Sequence, residues 1–337
     1  MSARRQGHLE AGPVGCAPGG RSRSRRHYSA RRRHLGRLPA ARGVGAAVTI
    51  FADVNDVIRR FDAEDYLLDI GTASAIYLAV ALGRPLLLEG EPGVGKTTAA
   101  KTLAPVLGTT LVRLQCYEGL TASEALYDWN YQRQLLSIRL AEARGAGIDE
   151  SDLYTERYLV DRSILQCVRH RGPTPPVLLI DEIDRADDEF EALLLEFLGE
   201  SAVTVPELGT FVAEHPPIAV LTSNRSRDLH DALRRRCLYH WIDYPEPSRA
   251  AAIVRRTVPG ATAALIEHAT QFVSAARDLD LDKSPGIAET IDWVAALVSL
   301  GVADLVDADV VASLGALAKT PDDRTLIGEA LVEYSKT

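Results

Sequence analysis

The segment Gly90-Glu91-Pro92-Gly93-Val94-Gly95-Lys96-Thr97 follows a short apolar run and precedes a helix-length stretch, and it fits the spacing GxxxxGK[ST]. Glycines at these positions let backbone N–H groups wrap closely round a phosphate chain. A helix starting at Lys96 turns its positive dipole end and free amides toward the same anion. The Lys96 ammonium then reaches the terminal phosphates, and the Thr97 hydroxyl is a hard oxygen ligand suited to Mg²⁺. The chemistry implied is capture of a nucleoside triphosphate by residues Gly90 to Thr98.

A second constellation, Val177-Leu178-Leu179-Ile180-Asp181-Glu182, is an apolar strand that ends in two carboxylates. Asp181 suits a Mg²⁺ contact, direct or through water, because a hard cation takes oxygen ligands and keeps much of its hydration. Glu182 suits polarising a water for in-line attack on the γ-phosphate. The run Ile218–Thr222 leads into Ser223-Asn224, which puts an amide at the carboxyl edge of a sheet, where it either holds the attacking water, senses the phosphate or only forms a turn. The cluster Arg234-Arg235-Arg236 ends a short helical segment; such cations either cap that helix or reach the phosphate of a neighbouring copy. Asp184 and Arg185 are equally compatible with a functional role and with a surface ion pair.

The elements that must position these groups alternate. Pro85–Glu89, Thr110–Gln115, Val177–Ile180, Ile218–Thr222 and Tyr239–Tyr244 read as strands, several of them apolar at consecutive positions as in parallel strands covered on both faces. Helical stretches are predicted at Thr97–Ala104, Ala122–Arg144, Glu189–Glu200 and Asp228–Arg236, with a small hairpin at Ala202–Val205 and Thr210–Val212. The pattern predicts a doubly wound parallel α/β sheet of the P-loop NTPase kind. After Pro245 and Pro247 the strand signal stops; Ser248–Arg256, Ala261–Asp278, Ile287–Leu300 and Thr325–Tyr334 read as helices of a smaller all-α domain. The predicted organisation is a basic extension over 1–46, an α/β domain over 47–247 and a helical lid over 248–337.

Charge is divided unevenly. Residues 1–43 hold eleven arginines and one acid, Glu10, whereas the whole chain carries a formal −8. The extension reads as a solvated segment or the product of an early start codon; contact with nucleic acid or acidic lipid and an organelle transit peptide are the alternatives. The remainder is strongly acidic, which disfavours a phosphate-backbone partner. No apolar run approaches the roughly 20 residues of a membrane span. Cys16, Cys116, Cys167 and Cys237 are scattered, with no CxxC pair and no cysteine–histidine spacing, and this suits a reducing cytoplasm and inert thiols.

Three stretches, Leu86–Ala104, Val177–Leu198 and Leu221–Cys237, resemble the AAA+ ATPases and, within them, the MoxR family. The segment Leu114–Leu136 looks like the carbon-monoxide-dehydrogenase accessory (CoxD-like) branch. The resemblance implies Walker A at Gly90–Thr97, Walker B at Asp181 and Glu182, sensor 1 at Asn224, and an arginine finger at Arg236 with Arg235 second. It further implies ATP and Mg²⁺ as ligands and a homo-oligomeric ring, commonly a hexamer. It also implies a chaperone-like role in maturing or loading an enzyme complex, including molybdenum hydroxylases, alongside a von Willebrand factor A domain partner. One departure stands out: Lys283-Ser284-Pro285-Gly286-Ile287 has glycine where the wider family has its sensor-2 arginine, so Lys283 is the candidate substitute and slow turnover is expected.

Tyr117, Trp129 and Tyr131 are candidate contacts to a client polypeptide, or simply packing aromatics. The competing readings are a magnesium-chelatase-like motor subunit, a nucleic-acid remodelling ATPase, and a nucleotide-gated binding module that scarcely hydrolyses.

Overall fold

The structure, a computed structural model, describes residues 50–305, 307 and 309–334; the extension predicted over 1–46 lies outside them. Two helices, α1 (Val54–Asp62) and α2 (Ile70–Leu82), lead into β1 (Leu86–Gly90), the phosphate loop and α3 (Lys96–Leu107). Then come β2 (Leu111–Gln115), α4 (Ala122–Ala125), β3 (Tyr127–Trp129), α5 (Tyr131–Ala143), α6 (Glu150–Leu153), β4 (Leu159–Asp161) and α7 (Ser163–Val168). The second half of the sheet region runs β5 (Val177–Asp181), α8 (Asp188–Glu200), β6 (Ala202–Val205), β7 (Gly209–Val212), β8 (Ile218–Ser223), α9 (Asp231–Arg236) and β9 (Leu238–Ile242).

Five strands form one parallel sheet in the order β2-β5-β8-β1-β9, so the expected doubly wound α/β fold is present. β1 and β5 are buried at every position, which explains why their sequences lack polar alternation. One face, through Leu86, Leu88, Leu179 and Val220, packs on α1, α2 and α3. The other, through Leu87, Leu178, Ile180 and Leu221, packs on α7, α8 and α9. The chain leaves β1 for the distant edge strand β2 and closes with β9 on the far side of β1. The carboxyl ends of β1 and β8 therefore flank a topological switch point, the crevice where open α/β sheets bind ligands.

Helices α10 (Pro247–Thr257), α11 (Ala263–Ala276), α12 (Ile287–Ser299), α13 (Val310–Leu317) and α14 (Pro321–Tyr334) gather round a separate core centred on Trp293. The indole N–H of Trp293 donates to Ser313 Oγ at 2.8 Å, so a fully buried ring keeps its polar atom satisfied.

Two predicted helices differ. The stretch 122–144 is broken into α4, β3 and α5, because Trp129 is buried and β3 pairs antiparallel with β4, while the Asn130 side chain caps α5 by accepting from the Arg133 N–H at 3.0 Å. The stretch 228–236 becomes helical only at Asp231; the His230 N–H is drawn to Glu191 Oε2 at 2.8 Å, and Leu229 is buried. The hairpin β6–β7 stands where the spacing of Pro206 and Gly209 predicts it.

Candidate active site

The loop after β1 takes its shape from residues that tolerate it. Gly95, at φ 101, is the capping residue of α3, a conformation a side chain strongly disfavours, and the Tyr66 hydroxyl donates to its carbonyl at 3.2 Å. Lys96 is buried at the loop's base, its ammonium donating to the Gly90 and Glu91 carbonyls at 2.7 Å each. Burial lowers its pKa, and the carboxylates of Asp184, Glu91, Asp181 and Glu182 act in the opposite direction. The ammonium thus waits beneath the loop, in position to exchange two carbonyls for phosphate oxygens.

Asp181 sits behind the loop with both oxygens engaged. Its Oδ1 accepts from the hydroxyls of Thr97 (2.8 Å) and Thr222 (2.6 Å), and its Oδ2 from Nε (3.0 Å) and Nη2 (2.6 Å) of Arg113. Burial alone would raise its pKa; the hydrogen bonds from Thr222, Thr97 and Arg113 and the guanidinium charge more than offset this and hold it low. Thr97 and Asp181 form an all-oxygen donor pair of the kind Mg²⁺ selects, and a threonine hydroxyl can give a lone pair to a cation while it keeps donating its proton to the carboxylate. Among the described residues no cluster of three or more His, Cys, Asp or Glu side chains forms another metal centre.

Glu182 adopts a left-handed backbone (φ 56), unusual for a non-glycine and held by its N–H donating to Thr222 Oγ1 at 3.0 Å. Its carboxylate lines the crevice and pairs with Arg185 at 3.2 Å. Asn224 lines the same crevice. The turn that carries it is anchored by Asp184, whose Oδ2 accepts from the Ser226 N–H (2.8 Å) and hydroxyl (2.6 Å).

The crevice encloses about 480 Å³. Its lining combines the loop residues Pro92 through Thr98 and the polar side chains of Glu182, Thr222 and Asn224 with the apolar side chains of Leu67, Ile242, Ile253 and Ile291. Such a mixed lining suits a ligand that has both a charged phosphate chain and a flat base.

The helical bundle roofs the crevice. The N–H groups of Ile287 and Ala288, at the start of α12, donate to the Gly93 carbonyl at 3.1 and 3.4 Å. Gly286, in the position of the absent arginine, lies directly against the loop: a Cβ there would meet Gly93 Cα at 2.8 Å. Arg249 ties α10 to the loop before α2, donating to Asp69 Oδ2 (3.0 Å) and the Leu67 carbonyl (2.9 Å). Arg277 ties α11 to the hinge, donating to the Pro285 carbonyl at 2.8 Å with its guanidinium 4.3 Å from the centre of the Tyr244 ring.

Other expected residues lie outside this crevice. Lys283 is exposed, its amide donating to Asp323 Oδ2 at 3.2 Å, and it does not line the crevice. Arg235 is 83% exposed and Arg236 donates to the Leu195 carbonyl; neither lines this chain's own crevice. Trp129 is a core residue, packed edge-on against Tyr154 with ring centroids 5.2 Å apart, so only Tyr117 and Tyr131 of the three aromatics present an exposed ring. The thiols of Cys116, Cys167 and Cys237 are buried, and burial pushes each up to about 12, which keeps them protonated; Cys16 is outside the described residues.

Arg113, Thr222, Tyr66 and Arg249 escaped sequence reasoning. Thr222 carries no local signal: it reaches Asp181 because Ile180 pairs with Leu221 in register, which makes the next residues, Asp181 and Thr222, neighbours.

Fold and site together define the class. Residues 85–237 match the AAA domain (dynein-related subfamily), so the chain carries an AAA+ P-loop domain, the domain type of ATP-hydrolysing enzymes. It is similar to Chaperone MoxR1 of Mycobacterium tuberculosis, with 30% identity over 178 residues that cover 51% of this chain and 39% of that protein. It is also similar to the Lon protease of Halothermothrix orenii, with 31% identity over 159 residues that cover 43% of this chain and 17% of that one. The chain thus spans well under half the length of these relatives. Two mutant forms of Thermotoga maritima RuvB align over 77% and 73% of this chain and 68% and 67% of theirs, at TM-scores of 0.41 and 0.42 and identities of 18% and 19%. No helix among the described residues is long and apolar enough to cross a membrane.

Proposed function

We propose that this protein binds ATP with Mg²⁺ and hydrolyses it as an AAA+ ATPase of the MoxR type. The observation that carries this reading is the hydroxyl–carboxylate pair Thr97–Asp181 close to the buried Lys96 ammonium, with Thr97 and Lys96 lining one crevice roofed by helices and Asp181 bonded to Thr97 behind them. Residues Gly90 to Thr98 hold the phosphates through loop amides, and the Lys96 ammonium neutralises them. Thr97 and Asp181 hold the cation, which when bound screens phosphate charge and polarises the terminal phosphoryl group. Glu182 takes the proton of a water aimed at that group, and Asn224 orients the water. The apolar side chains of the crevice receive the base, adenine by likeness to the family.

The wider assignment rests on resemblance. Copies assemble into a ring, hexameric in the usual arrangement, with Arg236 (or, failing it, Arg235) of one copy stabilising charge in the crevice of the next; their exposure away from their own crevice supports this. Residues 248–337 act as the lid. The ring is a chaperone-like remodeller in the cytoplasm that works with a von Willebrand factor A domain protein on a client enzyme, in the CoxD-like branch a molybdenum hydroxylase. The acidic body disfavours nucleic acid as the partner.

The deciding experiment is Glu182→Gln. Nucleotide affinity should be kept while phosphate release falls by roughly 100-fold or more, the scale of general-base loss. Undiminished release would remove Glu182 as the base, and binding without release in the wild type would favour a nucleotide-gated module.

A further inference from the structure

We propose that Arg113 is a stand-in cation, which holds Asp181 in the nucleotide-free protein and surrenders that carboxylate to hydrated Mg²⁺ when nucleotide enters. The inference rests on the reading of Thr97 and Asp181 as the cation site. Asp181 is 2% exposed, and a buried carboxylate needs a compensating charge. Lys96 does not supply it by contact, because its ammonium is turned to the Gly90 and Glu91 carbonyls. Arg113 does, from the neighbouring strand β2, through two hydrogen bonds to Oδ2.

With the two threonine hydroxyls on Oδ1, four donors fill the carboxylate's accepting capacity. A Mg²⁺ ion brings its own donors, the protons of the waters it retains. The Thr97 hydroxyl can keep donating its proton to Oδ1 while its oxygen ligates the metal, so the oxygen that must be freed is Oδ2, the one Arg113 holds. A monovalent guanidinium and a divalent ion on one oxygen repel each other, hence they alternate. Arg113 is equipped to leave: its side chain is 43% exposed, and its outer nitrogen also donates to the Gln115 side chain, a second perch on the same strand.

The test compares wild type with Arg113→Gln and Arg113→Lys, with fluorescent ATP titrated in excess Mg²⁺ and in EDTA. Loss of the guanidinium leaves Asp181 uncompensated against the nucleotide when metal is absent and unobstructed when it is present. The dissociation constant in EDTA divided by that in Mg²⁺ should therefore rise by roughly fivefold or more in Arg113→Gln, the lower end of ordinary coupling between ligands, with Arg113→Lys between it and wild type. A ratio unchanged while both constants worsen equally would mean Arg113 only supports the fold, and a lowered ratio would mean it assists the metal; either overturns the proposal. Melting without nucleotide separates this from the functional reading. Mg²⁺ alone should recover part of the stability lost by Arg113→Gln while leaving wild type unmoved, and no such recovery would overturn the proposal even if wild type bound no nucleotide.

Discussion

Gly286→Ala adds one methyl group at the point where the helical roof meets the phosphate loop. Its carbon would lie 2.8 Å from Gly93 Cα and 2.9 Å from both the Gly93 carbonyl carbon and oxygen, so it meets backbone that has no rotamer in which to withdraw. Overpacking of this kind costs about 1–3 kcal/mol. The alternative is for α12 to back away, which forfeits the bonds from Ile287 and Ala288 to the Gly93 carbonyl at about 0.5–1.5 kcal/mol each. The two routes cost a similar amount, and both cut the contact between roof and loop. The cores around Trp293 and beneath the sheet are untouched, so the fold persists and the loss falls on the crevice. Nucleotide affinity should drop roughly 5- to 150-fold, the range of ordinary coupling energies. The Ile287 amide should also lose protection in hydrogen exchange. Gly286→Arg, which restores the residue type of the wider family, should be worse still despite its added cation. Affinity within about twofold of wild type together with an unchanged Ile287 amide would refute the argument, as would any gain from the arginine.

Other consequences are simpler to state. Thr222→Val leaves the Glu182 N–H without its acceptor and Asp181 without one donor; the variant should lose about 1–3 kcal/mol in chemical denaturation and lose phosphate release out of proportion to nucleotide affinity. Asp69 has its pKa lowered: burial raises it, but the Thr72 hydroxyl and N–H and the Arg249 charge prevail. Its folded value lies below the ordinary 3.8, so its stabilisation is complete above that value and disappears as pH falls through the folded one. Asp69→Asn, a mimic of the protonated acid, should therefore lower the melting temperature at neutral pH and converge with wild type in strong acid. A difference that persists there would dismiss the charge as its source. For Arg236→Ala, mixtures with wild type should lose activity faster than dilution predicts; a linear decline would place the finger elsewhere or the protein outside a ring.

What sequence could and could not reveal divides along a physical line. The phosphate loop, the strand that carries Asp181 and Glu182, and the turn at Asn224 were legible because each needs particular residue types at fixed local spacing, and all of them converge on one crevice. The break of the helix predicted over 122–144 was not, since Trp129 turns inward only when β4, some thirty positions later, is present to pair with it. The same applies to Arg113 and Thr222, ordinary strand residues until β2 and β8 flank β5 and bring both to Asp181. Gly286 is the instructive case. Motif reasoning registers a missing arginine there and looks for a substitute cation in Lys283, which points it to the wrong side of the turn. In three dimensions the glycine is what the close approach to Gly93 requires. Only a residue without a side chain lets the α12 amides reach the Gly93 carbonyl, so the roof is coupled to the phosphate loop by backbone hydrogen bonds instead of a side-chain charge. Such a coupling ties the place of the roof to that of the loop, because any displacement of Gly93 must break the bonds it accepts from Ile287 and Ala288.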